Sequence, residues 1–178
     1  PNAPKEAGRP YTEGAAASLI GSATQPIFGG CCIPFIELRD GPDDTAPFGK
    51  VAGPCFFGGW SEMCFSFNFP VSFFNSDRSS GDIATIIKKR PVSATNMAVQ
   101  LCTDFDVFGI KFNEQNLGKV TAEQKLTVLA TQMLLDYMLF DGNTEKCKDT
   151  AEAVYCYCCY FSLLGAILPC YVAIPRKR

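Results

Sequence analysis

The segment from Asp104 to Gln115 has part of the residue spacing of a calcium-binding loop. In an EF-hand-like loop, oxygen ligands at positions one, three, five and twelve bind the ion, and a glycine at position six allows the turn. Asp104, Asp106 and Gly109 match positions one, three and six, and Glu114 precedes position twelve, whereas position five lacks an oxygen ligand. The pattern predicts a Ca²⁺ site at Asp104, Asp106 and Glu114. The alternative is that the two aspartates make turn hydrogen bonds between two strands.

The second charged feature is the run Lys88, Lys89 and Arg90. A cation close to a membrane surface attracts anionic lipid headgroups, with a contribution of about 1 kcal/mol for each charge. The run therefore indicates a lipid-headgroup site. The alternative is a solvated strand end whose charges discourage pairing with another sheet edge.

The chain contains ten cysteines, several of which are adjacent or lie in apolar runs. This arrangement is atypical of a disulfide framework, and most of the cysteines fit the role of small buried hydrophobic residues. The clustered ones are candidates for acylation. These candidates are Cys31, Cys32, Cys156, Cys158 and Cys159.

Composition excludes several functional classes. The 178 residues suffice for one well-cored domain, and they include no histidine, which rules out Ser-His and Cys-His nucleophiles and histidine-ligated metals. We therefore expect a protein that is not an enzyme. The 16 Lys and Arg residues against 18 Asp and Glu residues give a net charge of -2, which argues against a nucleic-acid partner.

A helix predicted over residues 121–143 is the element on which the rest of the chain is arranged. Thr121 and Gln124 have the spacing of a capping box, and Gly142 and Asn143 can end the helix. Its apolar residues cover nearly all of its circumference. Such a helix has to be enclosed by protein or by lipid. We expect a protein enclosure, because Asp136 makes the helix a poor membrane span.

Several predicted strands precede this helix. The clearest is residues 62–73, where a strict alternation puts a row of aromatic residues on one face. Pro70 lacks a backbone donor and so predicts an edge strand or a bulge. Further strands are predicted over 31–39, 48–57, 83–87, 97–102 and 107–112, after an extended arm at 1–30. The expected fold is α+β, with a curved antiparallel sheet wrapped on the helix.

A second apolar segment lies near the end of the chain. Residues 154–174 contain no charge and are followed by a basic tail at 175–178. A membrane span needs about 20 residues, so this segment predicts a transmembrane helix whose C-terminal end carries the positive charge. A pair of buried strands is the alternative, since aromatic and β-branched residues lie near both ends.

Two motifs resemble the phospholipid scramblase family. They are TDFDVFGIKF at residues 103–112 and LDYMLFD at residues 135–141, and together with the preceding strands they match the second half of the family over residues 31–141 in order. The resemblance implies a partial Tubby-like barrel around a hydrophobic helix at residues 31–143. It also implies phospholipid translocation and a response to calcium through the segment that begins at Asp104.

The resemblance covers only half of the family's barrel, because residues 1–30 stand where the first half would be. An incomplete barrel, or one completed by another chain, is therefore expected. Two functions follow. The protein is either a membrane-anchored, scramblase-like protein that interacts with a phospholipid membrane, or a non-catalytic subunit that uses this fold as a contact surface in a larger membrane complex.

Overall fold

The computed structural model describes residues 19–26, 30, 32–42, 45–102, 106–140 and 146–176. Within these residues the chain forms ten strands and three α-helices. The strands are β1 Ser22–Thr24, β2 Phe35–Arg39, β3 Pro47–Ala52, β4 Phe56–Phe57, β5 Phe67–Phe73, β6 Ala84–Lys89, β7 Val107–Phe112, β8 Cys147–Asp149, β9 Ala153–Leu163 and β10 Ala166–Pro175. The helices are α1 Ser61–Cys64, α2 Ala94–Cys102 and α3 Ala122–Leu139, and a 3₁₀ turn spans Glu114–Lys119.

Six strands form a curled antiparallel sheet with the shape of a half-barrel. Their order is β1-β2-β3-β5-β6-β7, and every neighbouring pair is antiparallel. The concave face carries the core, which includes Ile83 just before β6 and the strand residues Ile36, Leu38, Val51, Phe67, Phe69, Val71, Ala84 and Ile86. The predicted α+β class and the curved antiparallel sheet are confirmed. The predicted arm at 1–30 contributes β1 to one edge of this sheet.

Helix α3 begins as the sequence predicts. The Thr121 side chain accepts a hydrogen bond from the backbone of Gln124, and the Gln124 side chain accepts one from the backbone of Thr121, so the capping box is complete. The helix packs on the half-barrel through Thr127, Val128, Thr131, Leu135 and Leu139. The hydroxyls of Thr127 and Thr131 donate to backbone carbonyls one turn earlier in the helix, at 3.0 and 2.7 Å. Both buried hydroxyls are therefore hydrogen-bonded.

The other face of α3 is exposed, so the prediction of a fully enclosed helix is wrong. Met133 is 67% exposed and Tyr137 is 72% exposed. Leu126 and Leu129 lie on the same open side. A half-barrel covers only one side of a helix. The threonine side packs closely, since a Cβ on Gly21 would lie 2.1 Å from the Thr127 hydroxyl oxygen.

The open face of α3 determines the expected effect of a charge at position 133. We expect Met133→Asp to change the free energy of unfolding by less than about 1 kcal/mol, because the side chain already contacts water. Leu135→Ala, two residues away on the buried face, should cost about 2–4 kcal/mol through lost burial and a cavity. Urea denaturation of both variants measures the difference. A larger loss for Met133→Asp would show that this face is covered.

Two short helices replace parts of predicted strands. The strand predicted from residue 62 begins only at Phe67, because α1 precedes it. Pro70 lies in an interior strand and is tolerated there because β3 pairs only with residues 71–73. Residues 97–102 belong to helix α2 and not to a strand. The Ser93 hydroxyl accepts a hydrogen bond from the Asn96 backbone at 3.1 Å, and this N-terminal cap outweighs the strand-like composition.

The predicted transmembrane helix at residues 154–174 is wrong, because this segment forms strands β9 and β10. A two-residue turn at Leu164 and Gly165, with φ of 50° and 84°, reverses the chain. Pro169 faces Tyr160 across the ladder, whereas in a helix it would remove a hydrogen bond. The hairpin joins β4 and β8 in a second antiparallel sheet. Over the described residues, no helix has both the length and the apolar character needed to cross a membrane.

Candidate functional site

The predicted calcium ligands Asp106 and Glu114 do not meet. They lie at opposite ends of β7, whose six residues pair fully with β6. At about 3.3 Å per residue, this strand keeps the two carboxylates far beyond the reach of a single ion. Asp104 lies outside the described residues. Among the residues that are described, no three acidic or cysteine side chains form a group that could hold a metal ion.

Asp106 instead joins a buried group of charges around Lys88. The Lys88 ammonium forms an ion pair with Glu62 and lies 3.1 Å from the Asp106 carboxylate. Lys146 lies 3.2 Å from the other Glu62 oxygen. Gln100 donates to Asp106 at 2.8 Å and so ties helix α2 to the group. Two cations and two carboxylates balance each other, as burial requires.

The strand alternation of β6 explains why Lys88 is buried. Ala84, Ile86 and Lys88 occupy successive inward positions, and Lys88 is only 1% exposed. Its ammonium lies 4.5 Å from the centroid of the Phe140 ring, at the end of α3. The prediction that Lys88 contacts lipid headgroups is therefore wrong. The period of two could have indicated this burial, but no local signal identified Glu62 or Lys146 as its partners.

Lys89 and Arg90 differ from Lys88 because both are exposed. They line a cavity of about 200 Å³ together with Pro91, Val92, Asn96, Val99, Gln100 and Val107. In the part of the chain that the structure describes, neither cation forms a salt bridge. The cavity thus combines two available positive charges with an apolar wall.

Local contacts position Arg90 at this cavity. Strand β6 ends at Lys89, Pro91 follows, and Ser93 caps helix α2, which begins at Ala94. The Arg90 backbone N–H donates to the Ser66 hydroxyl at 3.1 Å, and its guanidinium donates to the Cys64 carbonyl at 3.4 Å. The Arg90 side chain is exposed, so its remaining guanidinium donors are available to a ligand. An anion with several oxygen acceptors fits these donors.

The acylation candidates are spread over two regions. Cys31 lies outside the described residues, and Cys32 is exposed. Cys156, Cys158 and Cys159 are half-buried in strand β9. A hydrogen bond with Cys147 is the largest influence that raises the pKa of the Cys156 thiol, and burial raises the pKa of Cys159. A raised pKa lowers the fraction of reactive thiolate. Acylation of these cysteines stays a prediction.

Comparison of the chain with protein-family models, with curated proteins and with solved structures finds no match. The resemblance to phospholipid scramblases therefore stays a prediction from the two motifs. The described residues offer two sites with distinct chemistry. The group around Lys88 is neutral and internally paired, which suits a structural role. The cavity at Lys89 and Arg90 is open and positively charged, which suits binding of an anion attached to an apolar group.

Proposed function

We propose that the protein is a non-enzymatic, scramblase-like protein that binds anionic phospholipids at a membrane surface. One observation carries this proposal: Lys89 and Arg90 line the same exposed cavity as four apolar residues. A phospholipid combines a phosphate with apolar chains in one molecule. The cavity places two cations beside an apolar wall, so it complements a phosphate that is attached to apolar chains.

The surroundings of the cavity also favour a membrane surface. Val92 is 83% exposed, and Met97, Val99 and Val107 are exposed as well. Apolar side chains next to cations are the usual composition of surfaces that lie in the lipid headgroup region. Membrane attachment is thus assigned to the surface formed by Lys89, Arg90 and helix α2, in place of the transmembrane helix predicted at residues 154–174.

The motif resemblance gives independent support. A curved sheet packed on an apolar helix is the arrangement that a phospholipid scramblase-like chain is expected to have. Translocation of lipid and its control by calcium are further parts of the proposal, and they rest on the resemblance. The pairing of Asp106 with Lys88 and Gln100 means that calcium would have to displace an existing salt bridge and hydrogen bond.

The double variant Lys89→Ala/Arg90→Ala is expected to bind vesicles containing phosphatidylserine about 30-fold more weakly than the unmodified protein. Two cations at about 1 kcal/mol each account for this factor. Binding is measured by vesicle cosedimentation at fixed ionic strength. Binding to vesicles of phosphatidylcholine alone should change little, because the headgroup there has no net charge.

The matched control is Lys119→Ala/Lys148→Ala, which removes the same charge from two other exposed positions. Equal weakening by the two double variants would show a general charge effect and contradict the site. Vesicles loaded with a labelled phospholipid, with and without calcium, report translocation in the same preparations. A label that stays in its leaflet under both conditions would remove translocation and leave only binding.

A second candidate function is that of a non-catalytic subunit in a membrane complex. It is favoured by the exposed apolar face of α3 beside β7, which is an edge strand of the half-barrel. A groove between them is lined by Phe108, Ile110, Phe112, Leu126 and Leu129. An extended strand of a partner chain could pair with β7 and cover this groove. A native preparation that runs only at the mass of a monomer would contradict this function.

A further inference from the structure

Two pairs of cysteines face each other across the strands of the second sheet. Cys147 of β8 is the register partner of Cys156 of β9, and Cys159 of β9 is the register partner of Cys170 of β10. All four cysteines are free thiols in this structure.

The hydrogen bonds of the ladder distinguish the first pair. The Tyr157 N–H donates to the Lys146 carbonyl at 2.9 Å on one side, and the Thr150 N–H donates to the Ala153 carbonyl at 3.0 Å on the other. Because hydrogen-bonded and non-hydrogen-bonded pairs alternate, Cys147 and Cys156 occupy a non-hydrogen-bonded position. There the Cα atoms lie about 4.5 Å apart and the side chains approach most closely. This spacing is within the range of about 4.4–6.8 Å that a disulfide spans.

The second pair is less favourable. Counting from the two-residue turn after Leu163 places Cys159 and Cys170 at a hydrogen-bonded position, where the Cα atoms lie about 5.5 Å apart. The register shifts beside this pair, and Cys158 is the extra residue on β9. A bulge disrupts the ladder locally. The regular β8–β9 ladder therefore presents the better-aligned pair of thiols.

We propose that Cys147 and Cys156 form a thiol–disulfide exchange site that closes to a cross-strand disulfide on reaction with a low-molecular-weight disulfide such as oxidised glutathione. The site is independent of lipid binding at Lys89 and Arg90. It would tie β8, whose preceding residue Lys146 pairs with Glu62, to the long strand β9.

The exchange balances in two steps. Cys147 is exposed and loses its proton to water, and its thiolate attacks one sulfur of oxidised glutathione. The glutathione S–S bond breaks, and one glutathione thiolate leaves and takes up a proton. Cys156 then loses its proton and attacks the Cys147 sulfur of the mixed disulfide, which releases the second glutathione. The two protein thiols are oxidised and one glutathione disulfide is reduced to two thiols.

The test is disulfide mapping of the folded full chain after equilibration with oxidised and reduced glutathione. Free thiols are blocked at acid pH, and the chain is cut with trypsin and chymotrypsin. Cuts after Lys146, Lys148, Tyr155 and Tyr157 place Cys147 and Cys156 in separate dipeptides. We expect the linked product of these two dipeptides to be the main disulfide, ahead of any link to Cys170.

The variants Cys156→Ser and Cys158→Ser test whether Cys147 selects its partner by strand register or by closeness along the chain. Cys156→Ser should abolish the linked product, whereas Cys158→Ser should leave it unchanged. In urea the preference should disappear, because loops from Cys147 to Cys156, Cys158 or Cys159 close with nearly equal entropy. The proposal would be overturned if Cys147 were recovered only as the blocked free thiol at every ratio of oxidised to reduced glutathione. It would also be overturned if, in the folded chain, Cys147 were linked to Cys158 as often as to Cys156.

Discussion

Phe140→Ala is expected to lower the free energy of unfolding by about 3–5 kcal/mol, the range for removing a buried aromatic ring from a core. Phe140 follows the last residue of helix α3, and its ring centroid lies 5.8–6.2 Å from those of the four phenylalanines with which it packs. These are Phe57, Phe67, Phe69 and Phe108. They come from β4, β5 and β7, so one ring joins the second sheet, the half-barrel and the helix.

The loss should show as a lower urea midpoint with a similar slope. Phe65→Ala is the matched control, because it removes the same ring from a position that is 56% exposed. We expect that control to cost less than about 1 kcal/mol. Phe140→Leu should fall between the two, since it keeps most of the buried volume. Similar midpoints for the two alanine variants would contradict a central role for Phe140.

Lys88→Ala is expected to cost about 3–5 kcal/mol, because it removes the buried cation that Glu62 and Asp106 share. Glu62 is 3% exposed and would keep only Lys146 as a partner. The contact between the Lys88 ammonium and the Phe140 ring would also be lost. Urea denaturation near neutral pH measures this effect.

The neighbouring residue supplies the control. Lys89→Ala removes the same charge one position along β6, where the side chain is exposed, and should change stability by no more than about 0.5 kcal/mol. The double variant Lys88→Met/Glu62→Met removes both members of the buried pair and should recover most of the loss, as is common when apolar residues replace an ion pair. A double variant as unstable as Lys88→Ala would contradict this account.

The two lysines therefore separate stability from binding. A Lys88 variant should lose lipid binding only as far as it unfolds, whereas Lys89→Ala/Arg90→Ala should lose binding while it stays folded. The run of three adjacent cations predicts a single patch. Their division follows from the strand period of two, which turns adjacent side chains to opposite faces.

Much of the half-barrel was predictable from local signals. The capping box of α3, the alternation from Phe67 to Phe73 and the β-branched run of β6 each describe a short stretch whose conformation its own residues favour. Capping and period-two patterns act over a few residues, so they can be found without knowledge of the rest of the chain.

The conformation of residues 154–174 does not follow from local signals, because an uncharged run of that length fits a transmembrane helix and a β-hairpin equally well. The segment forms strands because it turns at Leu164 and Gly165 and pairs with β4 and β8. Helix α2 shows the opposite case, in which one capping serine and the anchor from Gln100 to Asp106 favoured a helix over the strand that was predicted.

The sequence by itself determined the elements whose conformation depends on near neighbours: the capped helix and most strands of the half-barrel. Tertiary structure alone decided which face of α3 is covered, which of the adjacent cations is buried and which cysteines face each other. The physical reason is that burial of a charge and register between strands depend on distant residues. Lys88 is held by Glu62, 26 positions away, and Glu62 by Lys146, 84 positions away.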